Sequence, residues 1–355
     1  MTINQLDRKY PNKPFLIAGP CSAETEEQVM ETARQLAGQE IELFRAGIWK
    51  PRTRPNSFEG VGTPGLKWLK RVKEETGMKV TTEVANTQHV FLALKHNIDV
   101  LWLGARTTVN PFSVQEIADA VEGVDIPILI KNPINPDLKL WMGAIERIYK
   151  AGITKIGLIH RGFSVYGKSP FRNIPRWQIP IELKKEFPDL MLLCDNSHIC
   201  GRRDTLQAVA QKALDLNYDG LMTETHIDPD NAWSDAAQQI TPAQYQQLFS
   251  ELVLRKEGNG QVQNDLVDLR SQIDVLDDEI LNLLGRRMQV ADAIGRYKKE
   301  NGISILQAKR WAELLEAAKE KAKDHGLGGN FIEAFLKAIH EESIDHQNQV
   351  MNEGE

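Results

Sequence analysis

The stretch FLIAGPCSAETEEQVMETARQLAGQEIELFRAG, residues 15 to 47, decides the fold class. A short apolar run at residues 15–20 is followed by a segment with the period of an amphipathic helix, and then by a second run at residues 42–47. The runs are continuous rather than alternating, which is typical of strands buried on both faces. A strand, a helix and a strand in this order predict a βαβ unit with parallel strands.

The same alternation continues to about Leu254. Eight β-rich runs can be counted, and amphipathic helical segments lie between them: FLIAGP, ELFRAG, VTTEV, VLWLGA, PILIK, KIGLIHR, LMLLCDN and DGLMTET. Eight units in about 240 residues predict a (β/α)8 TIM barrel. A doubly wound open sheet is the alternative, although its glycine-rich dinucleotide fingerprint is absent after the first run.

The composition excludes several classes of partner. The chain has 355 residues, 43 Lys and Arg against 49 Asp and Glu, and a formal net charge of -6, so it has no global basic field for nucleic acid or an anionic membrane. No apolar stretch reaches the roughly 20 residues of a membrane span, and residues 1–15 lack the apolar core of a secretory signal. Three cysteines without disulfide-like spacing, Cys21, Cys194 and Cys200, are expected to be reduced thiols. We therefore expect a cytoplasmic protein.

A second region with a different periodicity follows a polar linker. Residues 1–254 form the predicted barrel domain, residues 255–264 (RKEGNGQVQN) the linker, and residues 265–355 an all-α helical domain. From Asp265 the apolar residues repeat as one helical stripe that runs to about Glu300, or roughly 50 Å. Shorter helices are expected near residues 307–324 and 331–351. Because such a long stripe is usually buried against a partner, we expect at least a homodimer through this domain.

Cationic side chains stand at five of the eight predicted strand ends. In a barrel of this kind the chemistry lies at the carboxyl ends of the strands, where these cations would converge on a small volume: Arg45, Lys50, Arg106, Lys131 and Arg161. Cations repel one another unless an anion lies among them, and arginine grips phosphate or carboxylate with two parallel hydrogen bonds. The pattern predicts a site for a small, multiply charged anion. Arg52 and Thr53 suggest a second phosphate contact.

A second polar set lies at the first, seventh and eighth strand ends: Cys21, His198, Glu224 and Asp235. A single cysteine or histidine at such a place is more often buried packing. However, the eighth strand of a closed barrel pairs with the first, so the four side chains are neighbours in space. A thiolate, an imidazole and two carboxylates suit a divalent transition metal ion, either manganese, iron, cobalt or zinc, better than calcium or magnesium alone.

The motifs of this region resemble those of the 3-deoxy-D-arabino-heptulosonate 7-phosphate synthases: AGPCS (18–22), KPRT (50–53), GARTT (104–108), HRG (160–162), DNSH (195–198) and ETHIDPDNAWSD (224–235). The resemblance implies that phosphoenolpyruvate is held by Arg45, Lys50, Arg106, Lys131 and Arg161. It also implies that Arg52 and Thr53 bind the phosphate of erythrose 4-phosphate, and that the polar set above binds one divalent metal ion. Glu83 and Lys50 are candidates for managing the proton of the attacking water.

Two other functions compete with this interpretation. The octulosonate 8-phosphate synthases share the barrel and phosphoenolpyruvate but use a five-carbon sugar phosphate, and they typically carry Asn-Arg-Ser-Ser where this chain has KPRT at residues 50–53. The KPRT form favours erythrose 4-phosphate. A barrel that only senses an anion is the other alternative, and the full set of metal ligands argues against it.

The helical region carries its own polar pattern. Arg287 and Lys298 are eleven residues apart and share a helix face, whereas Arg270 lies about 100° away and is expected to serve the partner subunit's site. The set resembles the all-helical chorismate mutases over residues 265 to about 350. The resemblance implies a dimeric site for chorismate with this set of residues: Arg270, Arg287, Lys298, Gln307, Arg310, Ser343 and Gln347. Arginines would hold the two substrate carboxylates, and Lys298 and Gln347 would stabilise charge on the ether oxygen.

Two departures from that family stand at Trp311, where many members have a carboxylate, and at Gln307, which replaces an Asp. They predict reduced or altered mutase activity, and a purely regulatory tail is the alternative. About a dozen residues precede the first predicted strand, so we expect any regulation of the barrel to come from the helical domain. The expected effector is prephenate, the product of the mutase reaction.

Overall fold

The computed structural model describes residues 3–50, 58–255, 260–306 and 308–352. Its contacts divide the chain into two compact units, Met1–Arg255 and Lys256–Glu355. The predicted boundaries at residues 254 and 265 stay predictions. None of the helices in the described ranges is both long and apolar enough to cross a membrane.

The first unit is a closed barrel of eight parallel strands in sequence order, and this confirms the predicted fold class against the open sheet. The strands are β1 (Phe15–Gly19), β2 (Leu43–Arg45), β3 (Lys79–Val84), β4 (Val100–Leu103), β5 (Ile128–Lys131), β6 (Ile156–His160), β7 (Met191–Asp195) and β8 (Gly220–Glu224). Closure is shown by β1 pairing with β8, in a register that places Gly19 opposite Glu224.

In the described part of the first unit, ten helices connect or flank these strands: α1 (Glu26–Leu36), α2 (Thr63–Thr76), α3 (Thr87–Lys95), α4 (Ala105–Thr108), α5 (Pro111–Val121), α6 (Leu138–Lys150), α7 (Gln178–Glu186), α8 (Asn196–Cys200), α9 (Leu206–Asp215) and α10 (Pro242–Ser250). Short polar residues begin several of them. Thr25 caps α1 by accepting a hydrogen bond from the Gln28 backbone N–H, and Thr241 and Gln244 form a reciprocal capping box at α10.

The apolar core of the barrel has two layers. One layer fills the space between the strands and the surrounding helices, and its largest members include Trp141 and Phe44. The other fills the inside of the barrel and includes Leu6, which comes from the segment before β1. Strands that are buried on both faces explain why the sequence shows continuous apolar runs.

Three helices are found among the described residues of the second unit: α11 (Gly260–Asn301), α12 (Ala308–Asp324) and α13 (Gly329–Asn352). The helix α11 begins within the stretch predicted as a linker. Its predicted apolar stripe is largely exposed in the single chain, with Leu269, Ile273 and Leu276 each more than half exposed. Exposed apolar side chains in such a continuous row are typical of a surface that binds a partner.

Candidate active sites

A cavity of about 70 Å³ opens at the carboxyl end of the barrel. All five predicted cations line it, together with a sixth that the sequence patterns did not single out; the lining residues are Cys21, Arg45, Gly47, Lys50, Glu83, Ala105, Arg106, Lys131, Arg161, Arg172, His198 and Asp235. Arg52 and Thr53 lie outside the described residues. The parallel topology accounts for this convergence, because the end of every strand points to the same face of the barrel.

Several cations of this cavity are paired with buried carboxylates of the protein. Arg45 lies 3.1 Å from Glu224, and Lys131 lies 2.6 Å from Asp195. Burial lowers the pKa of Arg161 to about 10, and the like charges of Arg172 and Arg106 contribute to that shift against the opposing effect of Asp195. A bound anion next to this buried guanidinium would favour its charged form.

Trp102 supports this cationic wall from inside the barrel. The Arg45 guanidinium carbon lies 5.0 Å from the centre of the indole, and Lys131 Nζ lies 5.7 Å from it. The indole N–H donates to Glu83 Oε2 at 3.0 Å, which fixes this carboxylate at the cavity. A side-chain carbon at Gly104 would lie 2.0 Å from Glu83 Oε1, so the glycine of the GARTT motif leaves the room that Glu83 occupies.

Three of the four predicted metal ligands form one cluster. Cys21 Sγ and one carboxylate oxygen each of Glu224 and Asp235 lie within 4.8 Å of one another. His198 also lines the cavity, and its Nδ1 lies 3.7 Å from Glu224 Oε1. That oxygen is buried and accepts no hydrogen bond, although Arg45 is close to it. This Glu224 oxygen is therefore free to bind a cation. Together, the thiol, the imidazole and the two carboxylates fit a divalent transition metal ion.

The protonation states at this cluster follow from burial and local charge. Burial raises the pKa of the Cys21 thiol well above its usual range, and Glu224 adds to the effect while Lys50 opposes it. The pKa of Asp235 is well below its usual range, because Lys50 and Arg172 outweigh the effect of burial. Lys50 Nζ donates to Cys21 Sγ at 2.6 Å. A thiol in this setting ionises when a cation binds it, so binding of a metal ion there is expected to release a proton.

Polar side chains around the cluster hold the candidate ligands in place. Asp195 accepts from His198 Nδ1 at 3.0 Å, which leaves the other ring nitrogen of this imidazole as the ligand atom. Burial lowers the pKa of His198, although Asp195 and Glu224 oppose the shift, and a neutral imidazole is the form that binds metals. Gln238 donates to Glu224 Oε2 at 2.6 Å, and Arg172 lies 3.1 Å from Asp235 Oδ1.

Three of these supporting residues were missed in the sequence patterns. Arg172 is a cation in the loop after β6, and a search of whole loops instead of strand ends would have found it. Asp195 stands inside the DNSH motif, but as the last strand residue it resembles an ordinary helix cap, a role it also has by accepting from the His198 backbone N–H. Gln238 lies in a turn, Ala236–Gln238, and has no sequence signal of its own.

His160 has a structural role although it stands at a strand end. It does not line the cavity; its Nε2 lies 2.6 Å from the Pro175 carbonyl and its Nδ1 lies 2.9 Å from the Tyr218 hydroxyl. Burial lowers its pKa to about 3, so the ring is neutral. These contacts tie the loop that carries Arg172 to the barrel.

A second cavity, of about 370 Å³, lies within the helical unit. It is lined by Arg287, Val290, Ala291, Ile294, Lys298, Ile305, Arg310, Trp311, Leu314, His340, Ser343, Ile344 and Gln347. Five of the predicted residues of this unit are brought together here: Arg287, Lys298, Arg310, Ser343 and Gln347. Gln307 lies outside the described residues. Arg270 is exposed on α11 and does not line the cavity.

The polar residues of the helical cavity are linked across two helices. Lys298 Nζ on α11 donates to Gln347 Oε1 on α13 at 2.9 Å, and the Arg287 guanidinium donates to the Ser343 hydroxyl. Cationic groups therefore face an otherwise apolar wall. A cavity of this kind suits a small organic dianion, and the described lining residues include no cysteine and no carboxylate that would bind a transition metal.

Comparison with known proteins matches both units to families. The sequence model described as the DAHP synthetase I family matches residues 10–257, and the one described as chorismate mutase type II matches residues 269–348. The chain is 32% identical over 247 residues to the phospho-2-dehydro-3-deoxyheptonate aldolase of Thermotoga maritima, covering 69% of this chain and 71% of the relative.

Two further similarities place the barrel among related enzymes. The crystal structure of the phospho-2-dehydro-3-deoxyheptonate aldolase (DAHP synthase) of Thermotoga maritima superposes with a TM-score of 0.60 at 30% identity, covering 67% of each chain. A 2-dehydro-3-deoxyphosphooctonate aldolase of Legionella pneumophila (strain Lens) is 29% identical over 262 residues, covering 68% of this chain and 91% of the relative.

Proposed function

The chain belongs to the DAHP synthetase I family and carries a chorismate mutase type II domain, and we propose that it catalyses one reaction in each unit. In the barrel, phosphoenolpyruvate and erythrose 4-phosphate condense with water to 3-deoxy-D-arabino-heptulosonate 7-phosphate and inorganic phosphate. In the helical unit, chorismate rearranges to prephenate. The observation that carries the proposal is the barrel cavity, where six cations surround a mixed thiol, imidazole and carboxylate cluster.

The cationic wall would bind phosphoenolpyruvate through its carboxylate and phosphate. Two observations support this binding mode. Arg106, Lys131 and Arg161 line one cavity, and a bound anion would raise the lowered pKa of Arg161. Charge-assisted hydrogen bonds from arginine would orient the carboxylate and the phosphate of phosphoenolpyruvate. They would thereby hold its C3 close to the aldehyde carbon of the sugar. By family resemblance, Arg52 and Thr53 would hold the phosphate of erythrose 4-phosphate.

The cluster of Cys21, His198, Glu224 and Asp235 would hold the divalent metal ion, which the proposal leaves open among manganese, iron, cobalt and zinc. When bound, such an ion supplies Lewis-acid activation of the aldehyde oxygen of the sugar. Lys50 would stay close to this cluster because it is 3.6 Å from Asp235 and within hydrogen-bond distance of Cys21.

Condensation also requires a water molecule and a proton acceptor. C3 of the enol forms the new carbon–carbon bond, water adds to C2, and phosphate leaves as the C2–O bond breaks. Glu83 and Lys50 both line the cavity, and we assign them the transfer of that water's proton. The hydrogen bond from the Trp102 indole to Glu83 Oε2 holds this carboxylate at the cavity.

The sugar substrate distinguishes this proposal from the octulosonate reaction of the Legionella relative. We expect the full-length, metal-loaded protein to release phosphate from phosphoenolpyruvate with erythrose 4-phosphate at a kcat/KM at least about 100-fold above that with arabinose 5-phosphate. The physical reason is that a site built to hold one sugar phosphate misplaces the aldehyde of a longer one. Phosphate release is measured with each sugar alone. Faster turnover of the five-carbon sugar would reassign the barrel, and release with neither sugar would leave only anion binding.

The helical cavity supports the rearrangement by charge and shape. The reaction is intramolecular and needs no nucleophile, so binding a compact substrate conformer is the main requirement. Arg287 and Arg310 would bind the two carboxylates, and Lys298 with Gln347 would stabilise negative charge on the ether oxygen. We assign Arg270 to the site of the partner subunit, because it is exposed and lies outside the cavity of its own chain.

We also propose that two copies of the chain form a homodimer through α11. Its exposed apolar row, from Leu266 to Leu283, is what a second copy would cover, and Arg270 lies within that row. This proposal accounts for a helix of 42 residues in a unit that needs a much shorter one. The cytoplasmic location expected from the sequence stays a prediction.

Regulation of the barrel by the helical unit is a further part of the proposal. Prephenate bound in the helical cavity would favour an inhibited state of the barrel, with a coupling free energy of about 1–3 kcal/mol. We expect prephenate to inhibit condensation by the full chain, and we expect this inhibition to disappear when the chain ends at Leu254. Initial rates of phosphoenolpyruvate loss with increasing prephenate measure the effect.

The matched control is full-length Arg287→Ala, which keeps the helical unit but removes a cation of its cavity. This variant should be inhibited only at higher prephenate concentrations. Equal sensitivity of the full chain and the shortened chain would show that prephenate acts on the barrel itself, and an insensitive full chain would reject the proposed regulation.

A further inference from the structure

Two aromatic rings meet at the cavity of the helical unit. The Trp311 and His340 rings pack in a tilted arrangement with their centres 4.2 Å apart and an angle of 33° between their planes, and both residues line the cavity. Trp311 lies on α12 and His340 on α13, so the pair joins two helices. Close packing against a large indole restricts the orientation of the imidazole.

The charged groups that face this pair are cations on two helices. Arg287 and Lys298 come from α11, and Arg310 comes from α12. These side chains bind carboxylates well, but they only donate hydrogen bonds. A hydroxyl group on a bound substrate needs an acceptor for its own proton, and no cation supplies one.

The other side-chain acceptors among the described lining residues already have hydrogen-bond partners. Gln347 Oε1 accepts from Lys298 Nζ at 2.9 Å. The Ser343 hydroxyl donates to the Ile339 carbonyl at 2.6 Å and accepts from Arg287. Among the described residues of this cavity, that leaves the His340 ring as a polar group for which no hydrogen bond is found.

His340 is in the form that accepts a hydrogen bond. Burial lowers its pKa, and the positive charges of Arg287 and Lys298 lower it further. A neutral imidazole keeps a lone pair on one ring nitrogen, whereas an imidazolium has none. Burial, together with the surrounding cations, therefore maintains an acceptor beside the groups that bind carboxylates.

We propose that His340 accepts the hydrogen bond of the ring hydroxyl of chorismate, with Trp311 holding the imidazole in position. This inference rests on the proposed mutase function and names one specificity determinant of that site. It makes the site selective for a hydroxylated cyclic dicarboxylate over the same molecule without the hydroxyl. The cavity would thus recognise the substrate hydroxyl with a neutral ring instead of a carboxylate.

The test compares chorismate with 4-deoxychorismate, which lacks the hydroxyl, in full-length wild type and His340→Phe. The Phe ring keeps the stack on Trp311 and removes the acceptor. We expect kcat/KM for chorismate to fall roughly ten- to hundredfold, and kcat/KM for 4-deoxychorismate to change less than about threefold. The preference of the wild type for chorismate should therefore nearly disappear.

Two more variants keep the outcome decisive. His340→Ala should lose the same preference if the Phe variant does not fold, and His340→Gln, which retains an acceptor, should recover part of it. Equal losses on both substrates, or no loss on either, would overturn the assignment of His340. A wild type that converts neither substrate would instead contradict the proposed mutase function, so the two failures are distinct.

Discussion

Chelation of divalent metal ions is expected to abolish condensation of phosphoenolpyruvate with erythrose 4-phosphate and to leave the rearrangement of chorismate unchanged. This is the expected result because the thiol and carboxylate cluster of the barrel would hold the metal ion that the proposed first reaction needs, while the described lining of the helical cavity offers no comparable set. Adding back one divalent metal at a time should restore condensation, and the order of restored rates would identify the preferred ion.

Cys21→Ala should reproduce the effect of chelation at a single position. The change removes the soft ligand from a buried cluster, so we expect condensation to fall by a factor of roughly 10³ or more. Metal content measured by atomic spectrometry should fall from about one ion per chain to well below that. Cys194→Ala is the matched control, because it removes an equally buried thiol that packs in the outer core layer. Full condensation by metal-free protein, or by Cys21→Ala, would refute the metal assignment.

Arg287→Ala should cost the mutase several kcal/mol of transition-state stabilisation, a loss of roughly 10²–10⁴ in kcat/KM. The guanidinium lines the cavity and is held by Ser343, so it is positioned to bind a substrate carboxylate. Arg286→Ala is the matched control, because the neighbouring arginine is exposed and does not line the cavity. Unchanged mutase kinetics in Arg287→Ala would mean that this face of α11 does not bind substrate.

Combining Arg287→Ala with Arg270→Ala tests whether the partner subunit supplies Arg270. Neither Arg270→Ala nor Arg287→Ala should be active alone. A mixed dimer of the two would contain one site with both arginines and one site with neither, so mixing the unfolded chains and refolding them should restore part of the activity. Recovery of about one quarter is expected for random pairing. Absence of any recovery would place both residues in a site within one chain.

Much of the fold was predictable because it depends on short-range patterns. Continuous apolar runs gave all eight strands, and one helical stripe gave α11, since periodicity is set by the geometry of each element alone. The topology of a closed barrel also made it possible to predict which residues meet at the cavity. Once the barrel closes and β1 pairs with β8, residues as distant in sequence as Cys21 and Glu224 must become neighbours.

The remaining features depend on side-chain packing that no pattern records. His160 stands at a strand end like Arg161, but it is bound to Pro175 and Tyr218, and only the path of the loop after β6 decides this. Arg172 reaches the cavity through that same loop. Likewise, the sequence shows that Trp311 stands where many chorismate mutases have a carboxylate. Its ring contact with His340, however, depends on how α12 packs against α13.

The central claim is that two separate sites in one chain catalyse two different reactions. The most direct measurement is to assay phosphate release from phosphoenolpyruvate with erythrose 4-phosphate, and loss of chorismate, in parallel on full-length wild type, Cys21→Ala and Arg287→Ala. We predict that wild type performs both reactions, that Cys21→Ala loses only condensation, and that Arg287→Ala, assayed for condensation with saturating substrates, loses only rearrangement. A variant that loses both reactions, or a wild type that performs only one, would contradict this account.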